Sequence, residues 1–389
     1  MKRRQTISYL LAVLLLGTVA VVEAGWDEGV AAFKAGNFAE AAQQFQTFVD
    51  ERPDVFQGHY MLGQTLAKLN RNQESMSHLQ KALELEPGNV GVQLALGKVY
   101  LSAGRYGDAA GLLGKIDSSS LPAAQQTAVH QMLALAMEKT GNTDQALDSL
   151  AKAARAKPND ADIQFQYGAA ALRAGDGATA ATALAKAVQL DPNDLDKQKT
   201  YAQALLRQGR TSRGSAKTGA YEKAAAAAQK VVAGESSYDN LMLLAGAQLG
   251  AKQYDPALAT LKQAASKNPN DWLPLYYQGQ ALTQKNQFGT AEVTLKQALG
   301  KASSSADKVT VWKQLGFVYE KQKSYDQAVT AYKNAGDSAS MARVEENRKT
   351  DEYNKQIEEE NEKIRALAEE EERLKEELKQ LPGGPPPQG

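Results

Sequence analysis

The sequence predicts an all-α protein, in which a solenoid of about nine helical hairpins is followed by one long charged helix. Small residues recur along the chain at the spacing of helix faces, and proline recurs between the copies.

The 389 residues include 45 basic and 45 acidic side chains and no cysteine. This charge balance argues against general nucleic-acid binding, and the lack of cysteine excludes disulfides and thiolate metal sites.

The N-terminal segment, residues 1–24, has the form of a secretory signal peptide. Residues 2–4 are basic, residues 7–22 are almost wholly apolar, and Ala24 ends a short cleavage motif. An uncleaved anchor is the alternative, although the apolar run is short for a membrane span. We expect cleavage, after which the mature protein has no membrane span and is periplasmic or secreted. A lipid anchor is not expected, since the sequence has no cysteine to carry it.

A helical hairpin is predicted most clearly in residues 312–335. Trp312 and Gly316 lie on one face of a helix, and Ala328 and Tyr332 lie on one face of a second helix. Small residues that face each other let two antiparallel helices approach closely, while bulky neighbours fill the space beside the contact.

The small-residue position recurs in every predicted hairpin, so one pattern accounts for residues 25–336. It is occupied by Gly29, Gly63, Gly97, Ala134, Gly168, Ala202, Ala245, Gly279 and Gly316. The prolines that separate repeats are Pro53, Pro87, Pro122, Pro158, Pro192 and Pro269. The sixth hairpin carries a ten-residue polar insertion at 211–220, which we predict to be a mobile surface loop. It serves either as a partner contact or as a tolerated insertion.

This pattern resembles the tetratricopeptide repeat, a helix-turn-helix unit of 34 residues. The resemblance covers residues 25–336 and implies a right-handed superhelix. It also implies that the first helices of successive repeats line a concave groove, which holds a peptide or helix of another protein.

Two sets of residues are candidates for that groove. The first lies three residues before the small-residue position and includes Trp26, Tyr60, Leu94, Phe165 and Tyr276. The second lies five residues after it and includes Lys68, Lys139, Arg173 and Arg207. The apolar set either binds a partner or packs against adjacent helices. The basic set either attracts an acidic ligand or complements the helix dipole.

The C-terminal segment, residues 337–381, predicts a charged coiled-coil helix that joins copies of the chain. Its apolar seam consists of Ile357, Ile364, Leu367, Leu374 and Leu378. Glu360 and Glu371 interrupt the seam, and the alternative is a single helix that caps or extends the solenoid. Residues 382–389 are rich in proline and glycine and predict a flexible tail.

No catalytic constellation, cofactor motif or metal site is evident. His59 and His130 occupy the position of Trp312 in their repeats and are expected to be packing residues. The sequence therefore predicts a non-enzymatic scaffold in the cell envelope that binds peptides or helices of other proteins. The alternative is an accessory subunit of an envelope enzyme or export complex that processes polysaccharide or peptidoglycan.

Overall fold

A computed structural model describes residues 25–380. The predicted signal peptide and the predicted tail lie outside the described residues. Within residues 25–380 the chain forms nineteen α-helices and no strand, which confirms the predicted all-α solenoid. The helices are α1 (Trp26–Lys34), α2 (Phe38–Glu51), α3 (Phe56–Lys68), α4 (Asn72–Leu85), α5 (Val90–Ser102), α6 (Tyr106–Leu113), α7 (Ala123–Lys139), α8 (Thr143–Ala156), α9 (Ala161–Ala174), α10 (Gly177–Leu190), α11 (Leu195–Thr211), α12 (Gly214–Gly234), α13 (Tyr238–Gly250), α14 (Tyr254–Lys267), α15 (Leu273–Gln284), α16 (Phe288–Lys301), α17 (Ser305–Lys321), α18 (Tyr325–Asn334) and α19 (Ser338–Gln380).

The first eighteen helices form nine hairpins, each an odd-numbered helix followed by an even-numbered one. The chain divides into two compact units, one ending at Ala204 and the other beginning at Leu205, so the boundary falls within α11. In the first unit the second helix of a repeat also packs on the first helix of the next. The core is therefore a row of small clusters. One of them joins Leu79, Leu96, Leu113 and Ala136 from four consecutive helices.

The recurring glycine sets how closely the two helices of a hairpin approach. A Cβ atom at Gly63 would lie 2.6 Å from Cγ of Leu79, and one at Gly316 would lie 2.8 Å from Cε1 of Tyr332. The sequence pattern suggested that small residues face each other across the hairpin. The structure shows such a contact at Gly63, whose carbonyl accepts a hydrogen bond of 2.6 Å from the Ser75 hydroxyl. It also places each of these glycines against a large side chain sixteen residues later, which fills the space that the missing side chain leaves.

The hairpin turns repeat in backbone conformation as well as in length. Eight of the nine contain one residue with positive φ, seven places after the small-residue position: Gly36, Asn70, Gly104, Gly141, Gly175, Lys252, Asn286 and Lys323. The next N–H then donates to a carbonyl five residues back, as from Asn37 to Ala32 and from Ser324 to Tyr319. This bond ends the first helix and aims the chain into the second.

The remaining turn, that of the sixth hairpin, contains the insertion, and here the predicted mobile loop is wrong. Residues 214–220 belong to α12, and Ser212 and Arg213 separate it from α11. The Tyr221 ring anchors the extended helix, because a Cβ at Gly209 would lie 2.9 Å from that ring. The composition of the insertion resembles that of a loop, but residues 214–220 form the first part of a helix that packs through Ala220 and Tyr221.

The last helix has two parts that differ in packing. Val344 is fully buried in the core cluster that contains Tyr319 and Tyr332, and Met341 packs against the same cluster. Every residue from 352 to 380 is exposed. The start of α19 therefore caps the last hairpin, and the remaining 29 residues extend from it without packing on it.

Candidate protein-binding groove

A groove of about 660 Å³ lies in the first unit, formed mainly by α3, α5 and α7. Its apolar part includes Leu94 and Met132, its aromatic residue is Tyr60, and its two cationic residues are Lys68 and Lys98. None of the described side chains that line it is acidic. We refer to this site, defined by those five residues, as the basic groove. It brings together three of the residues that the sequence predicted: Tyr60, Leu94 and Lys68.

Tyr60 shows how the structure resolves one of the open alternatives. Its ring packs against the cluster of Leu79 and Leu96, so part of it belongs to the core, while the side chain remains half-exposed in the groove. Burial raises the pKa of its phenol, and a hydrogen bond with Gln64 acts in the opposite direction. The core thus holds one part of the ring in place, while another part lines the groove.

A second groove of about 440 Å³ lies beside the first, between α7 and α9. Phe165 and Leu135 line it, and Leu135 is 43% exposed although it is a large apolar side chain. Arg173, predicted as part of a cationic rail, lies 3.2 Å from Glu138 of the preceding repeat. The guanidinium charge is offset locally, so this groove is less cationic than the basic groove.

The remaining predicted groove residues lie outside these two cavities. Trp26 packs on Phe45 and Phe48, with ring centroids 5.6 and 5.1 Å away. Tyr276 makes an edge-to-face contact with Trp272, and its hydroxyl accepts a hydrogen bond from Gln280. Lys139 and Arg207 are exposed at the ends of α7 and α11. For Trp26 and Tyr276 the packing alternative describes the structure better than an open groove.

The second unit has a groove of its own, of about 550 Å³. Lys217, Tyr221 and Lys252 line it together with the amide side chains of Gln280 and Gln314. Lys217 comes from the insertion, which therefore contributes to the first-helix side of this unit.

Sequence reasoning missed three lysines of these grooves, Lys98, Lys217 and Lys252. Lys98 lies four residues after Leu94 and hence on the same face of α5, so the helical spacing could have identified it. Lys217 gave no such signal, because the insertion falls outside the repeat pattern.

Two polar clusters serve the fold. Lys197 is 5% exposed, and its Nζ lies 2.9, 3.2 and 2.6 Å from carboxylates of Asp162, Asp191 and Asp194. The hydrogen bond with Asp194, followed by that with Asp162, raises the pKa of this ammonium. The cluster ties the start of α11 to α9 and to the end of α10.

The second cluster is a histidine pair. His59 is buried, and its Nδ1 lies 3.0 Å from Nδ1 of His78, which belongs to the second helix of the same repeat. His130, at the equivalent position of a later repeat, lies 3.1 Å from the hydroxyl of Ser118. The structure therefore places His59 and His130 as packing residues within their repeats.

The predicted coiled-coil residues all lie on the exposed part of α19, which we call the C-terminal arm (residues 352–380). Their exposed fractions are 39% for Ile357, 63% for Ile364, 65% for Leu367, 49% for Leu374 and 59% for Leu378. The ion pairs of the arm join its own turns, as between Lys375 and Glu371. The apolar stripe is therefore open to a partner.

Two further features of residues 25–380 bear on the site. No helix in that range is long and apolar enough to cross a membrane. No group of histidine, aspartate and glutamate in the same range is arranged to hold a metal ion.

Comparison with known proteins identifies the repeat. Three profiles described as tetratricopeptide repeat match the chain, one at residues 27–90 and 132–194, another at 70–120 and a third at 239–271. No curated protein matches. Among solved structures, YrrB, described as a TPR protein with an unusual peptide-binding site, is 20% identical. The match covers 54% of this chain and 99% of YrrB, with a TM-score of 0.43. MamA from Desulfovibrio magneticus RS-1 is 21% identical over 45% of this chain and 94% of its own, with a TM-score of 0.38.

Proposed function

Because this chain belongs to the tetratricopeptide repeat family, we propose that it is a non-enzymatic scaffold of the cell envelope that binds a segment of another protein. The observation that carries the proposal is the basic groove. It combines an apolar floor, a half-buried tyrosine and two exposed lysines in one concavity of about 660 Å³. Concave sites with this mixture of apolar surface and a few polar groups are where proteins bind ligands.

The chemistry of the groove favours an acidic, amphipathic segment. Leu94 and Met132 offer apolar contact to one face of a helix, in the manner of helix-in-groove recognition. Lys68 and Lys98 offer charge to carboxylates at its edge, and none of the residues 25–380 that line the groove is acidic. Complementary charge fixes orientation and accelerates encounter more than it adds to affinity.

Export to the periplasm or beyond the cell is part of the proposal and rests on residues 1–24. The test is N-terminal sequencing of the protein recovered from the cell envelope or the medium. We expect the mature chain to begin at Gly25, and a chain that keeps Met1 in the membrane fraction would contradict cleavage.

The binding role is tested by affinity capture from an envelope extract with the mature protein as bait. Tyr60→Ala in the basic groove should weaken capture about thirtyfold, because aromatic anchors at interfaces commonly contribute about 2 kcal/mol. Tyr106→Ala is the matched control, since Tyr106 lies on the second helix of its repeat and lines none of the three grooves described above.

Circular dichroism must show that both variants remain folded. If folded Tyr60→Ala captures the same partners as strongly as the control does, the basic groove is not the binding site. The identity of the captured partners also separates a general scaffold from a subunit dedicated to one envelope enzyme or export complex.

A further inference from the structure

The C-terminal arm is itself an acidic amphipathic helix. Between residues 352 and 380 the sequence has eleven acidic and six basic side chains. All of them are exposed, as are the apolar residues of the seam. A stripe of five large apolar side chains open to water indicates an interaction surface.

The arm is poorly suited to pair with a second arm. In a parallel, in-register dimer Glu360 would face its own copy across the seam, and so would Glu371. In the antiparallel register that pairs Ile357 with Leu374 and Ile364 with Leu367, Glu360 would face Glu371. Either arrangement places two like-charge layers in a seam of about eight positions, and like charges at close range repel.

The basic groove offers the arm what a second arm does not, namely an apolar surface flanked by positive charge. Its floor is apolar, and within the described part of the chain its charged lining residues are Lys68 and Lys98, with no acidic one. We propose that the C-terminal arm of one copy binds in the basic groove of a second copy. This inference rests on the proposed function of the groove as a site for acidic amphipathic segments, and it names the segment.

The packing of α19 makes the arm available for such a contact. Val344 and the ion pair between Arg343 and Glu320 hold the start of the helix on the last hairpin. The arm beyond residue 351 has no buried side chain, so it can bind elsewhere without loss of the cap. An α-helix of 29 residues is about 43 Å long, enough to cross several neighbouring helices.

The contact is heterologous, since it joins two different surfaces of the same chain. Heterologous contacts form rings or open chains instead of stopping at a symmetric dimer. The mature protein is therefore expected to associate progressively with concentration. Salt should weaken the association, because exposed charges contribute to it.

Sedimentation velocity of full-length mature protein over a concentration series tests the proposal. Lys68→Glu with Lys98→Glu, the groove variant, should weaken association at least tenfold. Ile364→Ser with Leu367→Ser, the arm variant, should do the same. The matched control is Lys81→Glu with Lys115→Glu, which makes an identical charge change at exposed sites outside the groove and should associate like the wild type.

Mixing the two impaired proteins decides between a groove contact and a coiled coil. The groove variant keeps an intact arm, and the arm variant keeps an intact groove. Together they should form a one-to-one complex that grows no further, at concentrations where each alone is mostly monomeric. A coiled coil predicts instead that the groove variant alone associates like the wild type and that mixing yields no new complex.

Two other outcomes would also overturn the proposal. A wild-type protein that is monomeric at every concentration would mean that the arm folds back on its own chain or binds a different protein. If the groove variant loses envelope partners in affinity capture but still self-associates, the proposed function stands and this inference fails. If the groove variant keeps its envelope partners but no longer self-associates, the groove serves assembly. In that case this inference stands, and the proposed function of the groove as a site for other proteins fails.

Discussion

The histidine pair between α3 and α4 links the two helices of one hairpin through a hydrogen bond between ring nitrogens. His59 Nε2 lies 3.0 Å from the carbonyl oxygen of Pro53, which accepts, so this nitrogen carries the proton. In a neutral ring Nδ1 then accepts, and His78 Nδ1 donates to it across 3.0 Å.

We therefore expect the first unit to lose stability in mild acid. Burial, and then the nearby His59, lower the pKa of His78, while Glu74 and Asp50 partly offset this. The folded state therefore binds its proton less readily than the unfolded state, whose histidine pKa is about 6.5. The contribution to stability is complete above that pH and is lost as the pH falls through the folded value.

Urea unfolding at pH 7.5 and pH 5.5 measures this effect. His78→Gln keeps a donor for His59 and does not titrate, so its loss of stability in acid should be smaller than that of the wild type. His130, whose pKa burial also lowers, remains in both proteins and contributes equally. Identical pH dependence in the two proteins would exclude the pair as a cause.

Two glycines three residues apart are expected to respond in opposite ways to alanine. Gly104 has φ of 73° in the turn after α5, and Gly107 lies within α6. A Cβ atom at either would meet nothing within 4 Å, so only the backbone conformation matters. Gly104→Ala should cost about 1 kcal/mol, because alanine is strained in the left-handed region. Gly107→Ala should stabilise the fold by roughly 0.5–1 kcal/mol, because alanine favours helix.

Thermal unfolding of the two single variants beside the wild type provides the measurement. Because both changes add one methyl group to an exposed site, packing does not contribute to the comparison. Equal shifts of the same sign would mean that the turn does not need a left-handed residue.

At the scale of the element, the hairpin depends on the glycine that receives a large side chain. Gly316→Leu would force the new side chain into the space of the Tyr332 ring, whose atoms lie 2.8–2.9 Å from an added Cβ. Overpacking of this kind typically costs about 1–3 kcal/mol. Gly300→Leu in α16 is the control, because a Cβ there has open space around it.

Hydrogen exchange locates the damage from Gly316→Leu. In a repeat array each hairpin is coupled mainly to its neighbours, so faster exchange should be confined to α15–α19. Loosening that reached α1 and α2 to the same extent would contradict nearest-neighbour coupling.

The sequence predicts most of the helices because the information that defines a hairpin is local. The small residue, its large partner sixteen positions later and the separating proline all lie within one repeat. Three features were not predictable in this way. Lys252 and Lys323 adopt positive φ although lysine is not a turn former, so their conformation follows from the hairpin as a whole. The insertion is mostly helical although its composition is that of a loop.

The third feature is the end of packing at residue 351, which the heptad pattern does not mark. Ile357 is exposed and Val344 is buried, yet both are large apolar residues of one continuous helix. Only the position of the last hairpin separates them. The basic groove could be predicted only in part. The repeat spacing identified Tyr60, Leu94 and Lys68, whereas Lys98 was found only from the contacts of the folded chain.

At the scale of the molecule, stability is a sum over small clusters, and the clusters at chain ends need a cover. The cap formed by residues 338–351 covers the cluster of Tyr319 and Tyr332. Arg343 contributes an ion pair to Glu320, whose side chain is only 14% exposed. Asp351 accepts hydrogen bonds from Tyr325 and Lys323. The C-terminal arm covers nothing.

Two truncations of the mature protein should therefore behave differently. A chain that stops after Asp351 loses only exposed side chains, so its free energy of unfolding should match that of the full-length protein at low concentration. A chain that stops after Asp337 also loses the burial of Val344 and Met341 and leaves Glu320 without its partner. We expect this to cost roughly 3 kcal/mol in the last hairpin.

Urea unfolding, with hydrogen exchange of α17 and α18, measures the stability of both truncated chains. If the shorter chain were as stable as the longer one, the start of α19 would not be a cap. If stopping after Asp351 already destabilised those helices, the arm would pack on the fold instead of serving another copy.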